Sequence, residues 1–381
     1  MRRYCPLRKE LSLPLRTLSV VLLFLSGCVF LPLESSKVPR PADQAAPAPG
    51  PQAAYREVVG VIHVHSTHSD GQLPVDPILH IAQRQGLDFL ILTDHNTLQA
   101  KREGKEGFHG KTLLLVGSEI SSEGHYLGLR LKEEVARDQK FQPTADAVAA
   151  QGGMGFIAHP LWKKKRWEHG DLRGFTGMEI YNAAHNATEK NPVPLILWTL
   201  LTGSDVAASQ WLERPDRTLE LWDRYLAERP PVVGIGAADA HGLKLFGLRM
   251  GPYETMFKMV RDHLLIPGEL TEAAVYDALE KGHLFVAHDI LADARGVSFA
   301  AVAGGEIRGV MGDRVRWEPG LQLHARLPGA GGMVLFLDGR PAGKRWGREA
   351  RFDVKGKGVY RLEVSRKGRP WIYTNPVYVI E

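Results

Sequence analysis

The chain is predicted to be an α/β protein followed by an antiparallel β region, and three observations carry that expectation. Short apolar runs alternate with amphipathic stretches from about residue 58 to 236. His, Asp and Glu residues stand at the C-terminal ends of those runs. After Val297 the pattern changes to period-two alternation broken by Gly-rich turns. Strands alternating with helices imply a parallel sheet, open or closed into a barrel.

The elements follow in order. Residues 58–65 (VVGVIHVH) read as a buried strand and 77–85 as an amphipathic helix. Strands are expected at 88–93, 112–116 and 126–131, a helix over 145–151, then strands at 155–158, 178–181 and 232–236. Residues 194–229 read as helical, and the aromatic residues Trp198, Trp211, Trp222 and Tyr225 there are assigned to packing. Alternating strands at 321–327, 333–337, 359–364 and 376–380, with Asp338-Gly339 as a turn, predict a small antiparallel sandwich over 296–381. It holds one histidine, His324, and no assigned chemistry.

Composition narrows the function classes. At 381 residues with 44% hydrophobic and 24% charged residues, the chain has material for a large core and about two domains. The net charge of +5 is spread thinly over 48 basic and 43 acidic residues, and no nucleic-acid module is recognisable. Oligomeric state is not encoded in any feature of the pattern.

The N-terminus reads as a targeting segment. Arg2, Arg3, Arg8, Lys9 and Arg16 accompany an apolar run at 18–25, too short for a comfortable membrane span. Leu25-Ser-Gly-Cys28 resembles the bacterial lipobox, which implies a signal peptide over 1–27 and lipidation at Cys28. Val29 in place of Asp is compatible with outer-membrane sorting in the Gram-negative pattern. Residues 28–54, rich in Pro and Ala, form a tether, and the expected location is the cell envelope, facing the periplasm or exterior. The only other cysteine, Cys5, lies in the segment to be removed, so thiol chemistry is excluded.

The chemistry concentrates at strand ends, where βα proteins collect catalytic groups. His63 and His65 stand two apart on one strand, an alternation that turns both toward one face, and Asp70 follows them. Asp94-His95, Glu119, His125, His159, and Asp239 with His241 occupy the later strand ends. A single strand-end histidine is ordinarily a hydrogen-bonded core residue. Asp94 apart, these nine acids and imidazoles together would be too costly to bury without cations among them. A thiolate-free His and carboxylate set suits zinc, manganese or iron, and nine donors exceed one tetrahedral site, so two or three divalent ions are expected, with Glu119 the natural bridge. Asp94 is read as orienting His95 or as an N-cap. Lys163, Lys164, Lys165 and Arg166, and more weakly Arg249, are read either as contacts to substrate phosphate or as a solvated basic surface, and His68 and His185 as bystanders or substrate contacts.

The motifs HxHSxxSDG, GLDFLILTDHNT, GxE, GHxLG, AHP and DAH, in that order between residues 58 and 242, resemble the polymerase-and-histidinol-phosphatase (PHP) family. The resemblance implies a distorted seven-stranded βα barrel over 55–295, with the helical stretch at about 190–230 as an insertion and a di- or trinuclear centre. It implies one metal on His63, His65, Glu119 and Asp239, a second on Asp70, His95 and His159, and a third bridged by Glu119 and completed by His125 and His241. Some members carry His where this chain has Asp70, and the Asp version suits harder metals somewhat better. The implied reaction is hydrolysis of a small phosphate mono- or diester by a metal-activated water. Hydrolysis of an amide or lactone at the same centre, or a non-catalytic binding role at the envelope, are the alternative readings.

Overall fold

The computed structural model describes residues 55–162, 167, 172–188, 199, 201–242, 244, 245, 248, 249 and 251–381, with the backbone alone at 187, 188, 244, 245, 248 and 249. The expected signal peptide, Cys28 and tether lie outside the described residues, as do Lys163 to Arg166 and the side chain of Arg249. Residues Pro49–Glu381 cluster as one compact unit. Among the described residues no helix is long and apolar enough to cross a membrane.

The first block comprises β1 (Arg56–Val64), α1 (Val75–Arg84), β2 (Phe89–Leu92), α2 (Gln99–Arg102), β3 (Gly107–His109) and β4 (Thr112–Val116). β1, β2 and β4 pair in parallel, as the alternation of apolar runs and helices predicts. The second block comprises β5 (Ser118–Ser121), β6 (His125–Leu129), α3 (Phe141–Ala150), β7 (Met154–Ile157), β8 (Gly177–Asn182), α4 (Ala183–Thr188), α5 (Ser204–Gln210), α6 (Asp216–Glu228) and β9 (Val233–Ala237). Its strands form a separate five-stranded sheet in the order β5-β6-β7-β8-β9. Here the expectation of parallel pairing fails in part. β5 and β6 are antiparallel neighbours, because the link 122–124 is far too short for a parallel crossover, and β6 and β7 are antiparallel as well.

After a short ribbon of β10 (Lys244–Leu245) and β11 (Leu248–Arg249) come α7 (Tyr253–Met259), β12 (Arg261–Ile266), α8 (Glu272–Lys281) and β13 (Leu284–Ala287). β12 lies antiparallel between β1 and β13. The C-terminal region holds β14 (Ser298–Ala303), β15 (Glu306–Val310), β16 (Arg314–Arg316), β17 (Gln322–Leu337), β18 (Arg340–Asp353), β19 (Gly358–Arg366), β20 (Arg369–Thr374) and β21 (Val377–Ile380). This β-rich region matches the expected style, and β17 runs as one long strand where two were expected. Asp338 and Gly339 join β17 to β18 with φ of 47° and 74°, the left-handed pair that a two-residue primed turn requires. Through β13–β20 pairing the C-terminal strands continue the sheet of β1.

The central strands are buried on both faces. Val59, Val61, Leu90, Leu92 and Leu114 pack with residues of α1, α3, α6 and α7. Val58, Ile62, Phe89, Ile91 and Leu113 pack instead with β6, β7, β9, β12 and α8. Burial on both faces is why these strands read as unbroken apolar runs rather than alternating ones.

The two sheets meet at two seams. At one, Val64 bridges Ala240, with Ala238 N donating to Ile62 O at 3.0 Å and His65 N to Ala240 O at 3.1 Å. At the other, His95 bridges Glu119, with Glu119 N donating to Thr93 O at 3.1 Å. Both seams carry the residues expected to bind metal.

A candidate metal centre at the seams

The chain bends sharply where it delivers these side chains. His63, His159 and Asp239 have φ of 67°, 25° and 50°, a left-handed region that non-glycine residues rarely occupy and that clusters at functional sites. The β1–β2 register shifts between Ile62 and Val64, so His63 sits on a bulge. Simple alternation therefore does not account for how His63 and His65 converge. The bulge turns His63 so that the two ring centroids lie 5.0 Å apart.

Glu119 is the hub. Its Oε2 lies 3.0 Å from His63 Nε2, 3.1 Å from His65 Nε2 and 3.4 Å from His95 Nδ1. Its Oε1 lies 2.6 Å from His125 Nδ1 and 2.9 Å from His159 Nε2. Asp239 Oδ1 is 3.6 Å from Nε2 of both His63 and His65. At the rim, Asp70 is half-exposed and lies 3.2 Å from His241 Nε2 and 3.6 Å from His95 Nε2. All nine expected donors thus converge. The pairing differs from the one the resemblance implies: Asp70 groups with His95 and His241, while His159 joins His125 on Glu119 Oε1. His159 is held away from Asp70 by its strand-end position on β7, whereas Asp70 and His241 flank the same seam.

Electrostatics and hydrogen bonding both test whether a cation suits this donor set. Burial opposes ionisation of Glu119, yet the imidazoles of His63, His125 and His159 hold its carboxyl well below the usual carboxylate range. Burial pushes His65 down, but Asp239 and Glu119 outweigh it and raise the imidazole to about 9. Burial also opposes ionisation of Asp70, which His241 nevertheless draws down to about 2. His95 goes the other way, lowered by burial. Protons therefore balance the buried carboxylates when no ion does so. The buried His65 Nε2, His95 Nδ1 and His159 Nδ1 make no hydrogen bond, although the first two face Glu119. Several imidazole nitrogens gathered around one carboxylate oxygen, two of them without a bond, fit cation donors. Four overlapping groups, namely His65-Asp70-His95-His241, His63-His65-Glu119, His63-His159-Asp239 and His95-Glu119-His125, have donor atoms within 4.8 Å of one another.

Asp94 does not orient His95: its Oδ1 accepts from Ser66 N at 2.7 Å and Ser69 Oγ at 2.6 Å, and its Oδ2 from Ser66 Oγ at 2.7 Å. It ties down the loop that presents Asp70. Glu179 and Asn182 escape sequence reading. Glu179 Oε1 lies 2.5 Å from His63 Nδ1, and its Oε2 accepts from His159 N at 2.6 Å and from Asn182 Nδ2 at 2.9 Å. Asn182 Nδ2 also donates to Asp239 Oδ2 at 3.1 Å. The one available signal is a carboxylate between the apolar Met178 and Ile180 of β8.

The donors line a cavity of about 190 Å³ walled by Trp162 and His185. Trp162 meets the rings of His125 and His159 at 5.4 and 5.3 Å. His68 turns away to Glu103, 3.2 Å distant, and is no part of the cavity.

No family model matches the chain. A crystal structure of a two-domain protein containing a predicted PHP-like metal-dependent phosphoesterase from Bacteroides vulgatus ATCC 8482 is 17% identical, with 85% of this chain and 96% of that one covered and a TM-score of 0.43. A putative metal-dependent phosphoesterase from Bifidobacterium adolescentis ATCC 15703 is 14% identical, with 58% and 95% covered and a TM-score of 0.33. The structural neighbours thus include PHP-like metal-dependent phosphoesterases. In sequence, the chain is 32% identical over 124 residues to the uncharacterized protein MJ1587 of Methanocaldococcus jannaschii, 31% of this chain and 71% of that protein. With that identity over that share of the relative, the chain belongs to the same family as the Methanocaldococcus protein.

Proposed function

We propose that the chain is a PHP-type metal-dependent phosphoesterase, its two sheets forming a distorted seven-stranded barrel with the centre at the seams. The observation that carries the reading is the convergence of five imidazoles on Glu119, with Asp239 and Asp70 beside them. His63, His65 and Asp239 with Glu119 would hold one divalent ion, His125 and His159 with Glu119 a second, and Asp70, His95 and His241 a third. Zinc, manganese and iron all suit such donors. Bound ions would supply Lewis-acid polarisation of the phosphoryl group and acidification of the attacking water.

The chain's own residues do the rest. Glu179 fixes the His63 ring through Nδ1 and the His159 backbone, so the donor atoms are aimed before any ion arrives. Trp162 shields the His125 and His159 side from water. His185 lines the cavity where a phosphoryl oxygen would lie. The N-terminal features support placement of this activity at the cell envelope on a lipid anchor at Cys28, with the membrane and a small phosphorylated substrate as its partners.

The test is turnover by the full chain, loaded in turn with manganese, zinc and iron, of p-nitrophenyl phosphate, its bis-ester and a lactone and amide panel. Hydrolysis of a phosphate ester that a chelator abolishes supports the reading. Turnover of a lactone or amide with neither phosphate ester touched overturns it.

A further inference from the structure

The cavity at the metal centre does not end at its wall. His185 also lines a second pocket of about 360 Å³, which runs past Trp211 and Arg214 to Arg217. Leu161 and Arg217 in turn line a third, of about 510 Å³, bounded by Arg224 on α6 and Arg340 at the start of β18. Shared lining residues place the three side by side, as a grooved surface that leads from the donor cluster along α6 to the turn between β17 and β18.

The charges along this groove are unevenly engaged. Asp223 is taken up by Arg361, through Arg361 Nε to Oδ1 at 2.8 Å and Nη2 to Oδ2 at 2.7 Å. Arg214 is bound to Glu363 at 2.6 and 2.7 Å and to Asp216. Asp338 accepts from Val359 N at 2.9 Å. Among the described residues, Arg217, Arg224 and Arg340 form no ion pair, although all three are exposed and border the groove. Glu220 and the Arg361-bound Asp223 are the acids between Arg217 and Arg224 on α6. Arg217 and Arg224 are seven residues apart, hence on one helix face and about 10 Å apart along its axis. The wall that carries them is rigidly mounted, because the Arg361 guanidinium is buried against Trp222 and Phe336 at 5.4 and 4.3 Å.

We propose that the groove binds a second anionic group of an extended phosphoester, with Arg217, Arg224 and Arg340 gripping a phosphate or carboxylate remote from the scissile bond. This inference rests on the phosphoesterase reading and deepens it to a substrate class: elongated esters with anions at both ends. Unpaired guanidinium groups are suited to such groups through charge-assisted, bidentate contacts. Helix α6 and the C-terminal hairpin are thereby specificity elements, and the C-terminal region contributes Arg340 directly to substrate binding.

The test is a molecular ruler of alkanediol bisphosphates of increasing chain length, each paired with its monophosphate, applied to the full metal-loaded chain. Wild type is expected to favour a bisphosphate of the fitting length over its monophosphate by about tenfold or more in kcat/KM, expressed mainly in KM. Arg217→Ala, Arg224→Ala and Arg340→Ala should each shrink that ratio several-fold. Equal turnover of bisphosphate and monophosphate at every length, or ratios unchanged in all three variants, overturns the groove while leaving the phosphoesterase reading intact. If no ester is hydrolysed, that reading fails instead, and calorimetric titration with the same bisphosphates decides the groove. Binding weakened in the variants supports it, and no binding to wild type overturns it.

Discussion

Glu119 has almost no exposure and five imidazoles around it, so its side chain organises the centre more than any other. Glu179 acts through the residues it holds. Glu179→Gln keeps the shape and loses the charge that fixes His63, and should weaken metal binding by about 10- to 100-fold in a chelator competition assay. Unchanged affinity would remove Glu179 from the account. A second residue-scale prediction lies away from the centre. Burial pushes the Asp262 carboxyl up to about 8 although Gly236 N donates to it. Its folded pKa stands above its ordinary 3.8, so it takes up protons more readily folded than unfolded, and its contribution is full below about 4 and lost as pH rises through about 8. Despite burial, His263 is raised to about 9 beside Asp289 and Glu57, and its contribution is likewise full below 6.5 and lost toward 9. Denaturant midpoints should fall across pH 4 to 8 less steeply in Asp262→Asn than in wild type. Parallel slopes in the two proteins would contradict the raised carboxyl.

Single elements show which local rules the chain obeys. Helix α8 starts at Thr271, whose side chain accepts from Ala274 N at 3.1 Å, and stops at Gly282 with φ 72°. Thr271→Ala should cost about 1 kcal/mol of stability, read from thermal or denaturant unfolding, because an N-terminal amide loses its acceptor. In β1, a methyl group on Gly60 would lie 2.4 Å from the Phe89 ring, so Gly60→Ala should cost about 1–3 kcal/mol through overpacking. These strands were legible in the sequence because their apolar runs are unbroken, and their boundaries fall within a residue or two of the expected ones. The donor residues were legible because strand ends are marked by the loss of that apolar character. The pairing of donors was not, since it depends on how two sheets meet. Nor was the role of Glu179: nothing in its neighbours separates a carboxylate aimed at His63 from one aimed at solvent. β5 was hidden because Ser118–Ser121 is short and polar, although it carries Glu119.

At the scale of the molecule, the C-terminal strands brace the wall of the groove. Arg361 is buried between Asp223 of α6 and Glu363 of β19. Arg361→Met would leave Asp223 without its cation in a poorly solvated place and Glu363 with Arg214 alone, and should destabilise the whole protein by about 3–5 kcal/mol in chemical unfolding. A loss under 1 kcal/mol would show that the two regions are energetically independent. The centre itself joins the two sheets at both seams, so ions that bind only the folded chain should stabilise it globally. Removal by chelator is expected to lower the melting temperature, and stability should rise with free metal as mass action requires. The central claim is that the Glu119 cluster holds catalytic divalent ions. The most direct measurement is elemental analysis of the full chain beside its Glu119→Gln variant, with phosphate-ester turnover followed in the same samples. Two or three ions per chain are expected in wild type, with a marked loss in the variant and a parallel loss of activity. Less than one ion per chain in active wild type, or full occupancy and activity in the variant, would contradict the claim.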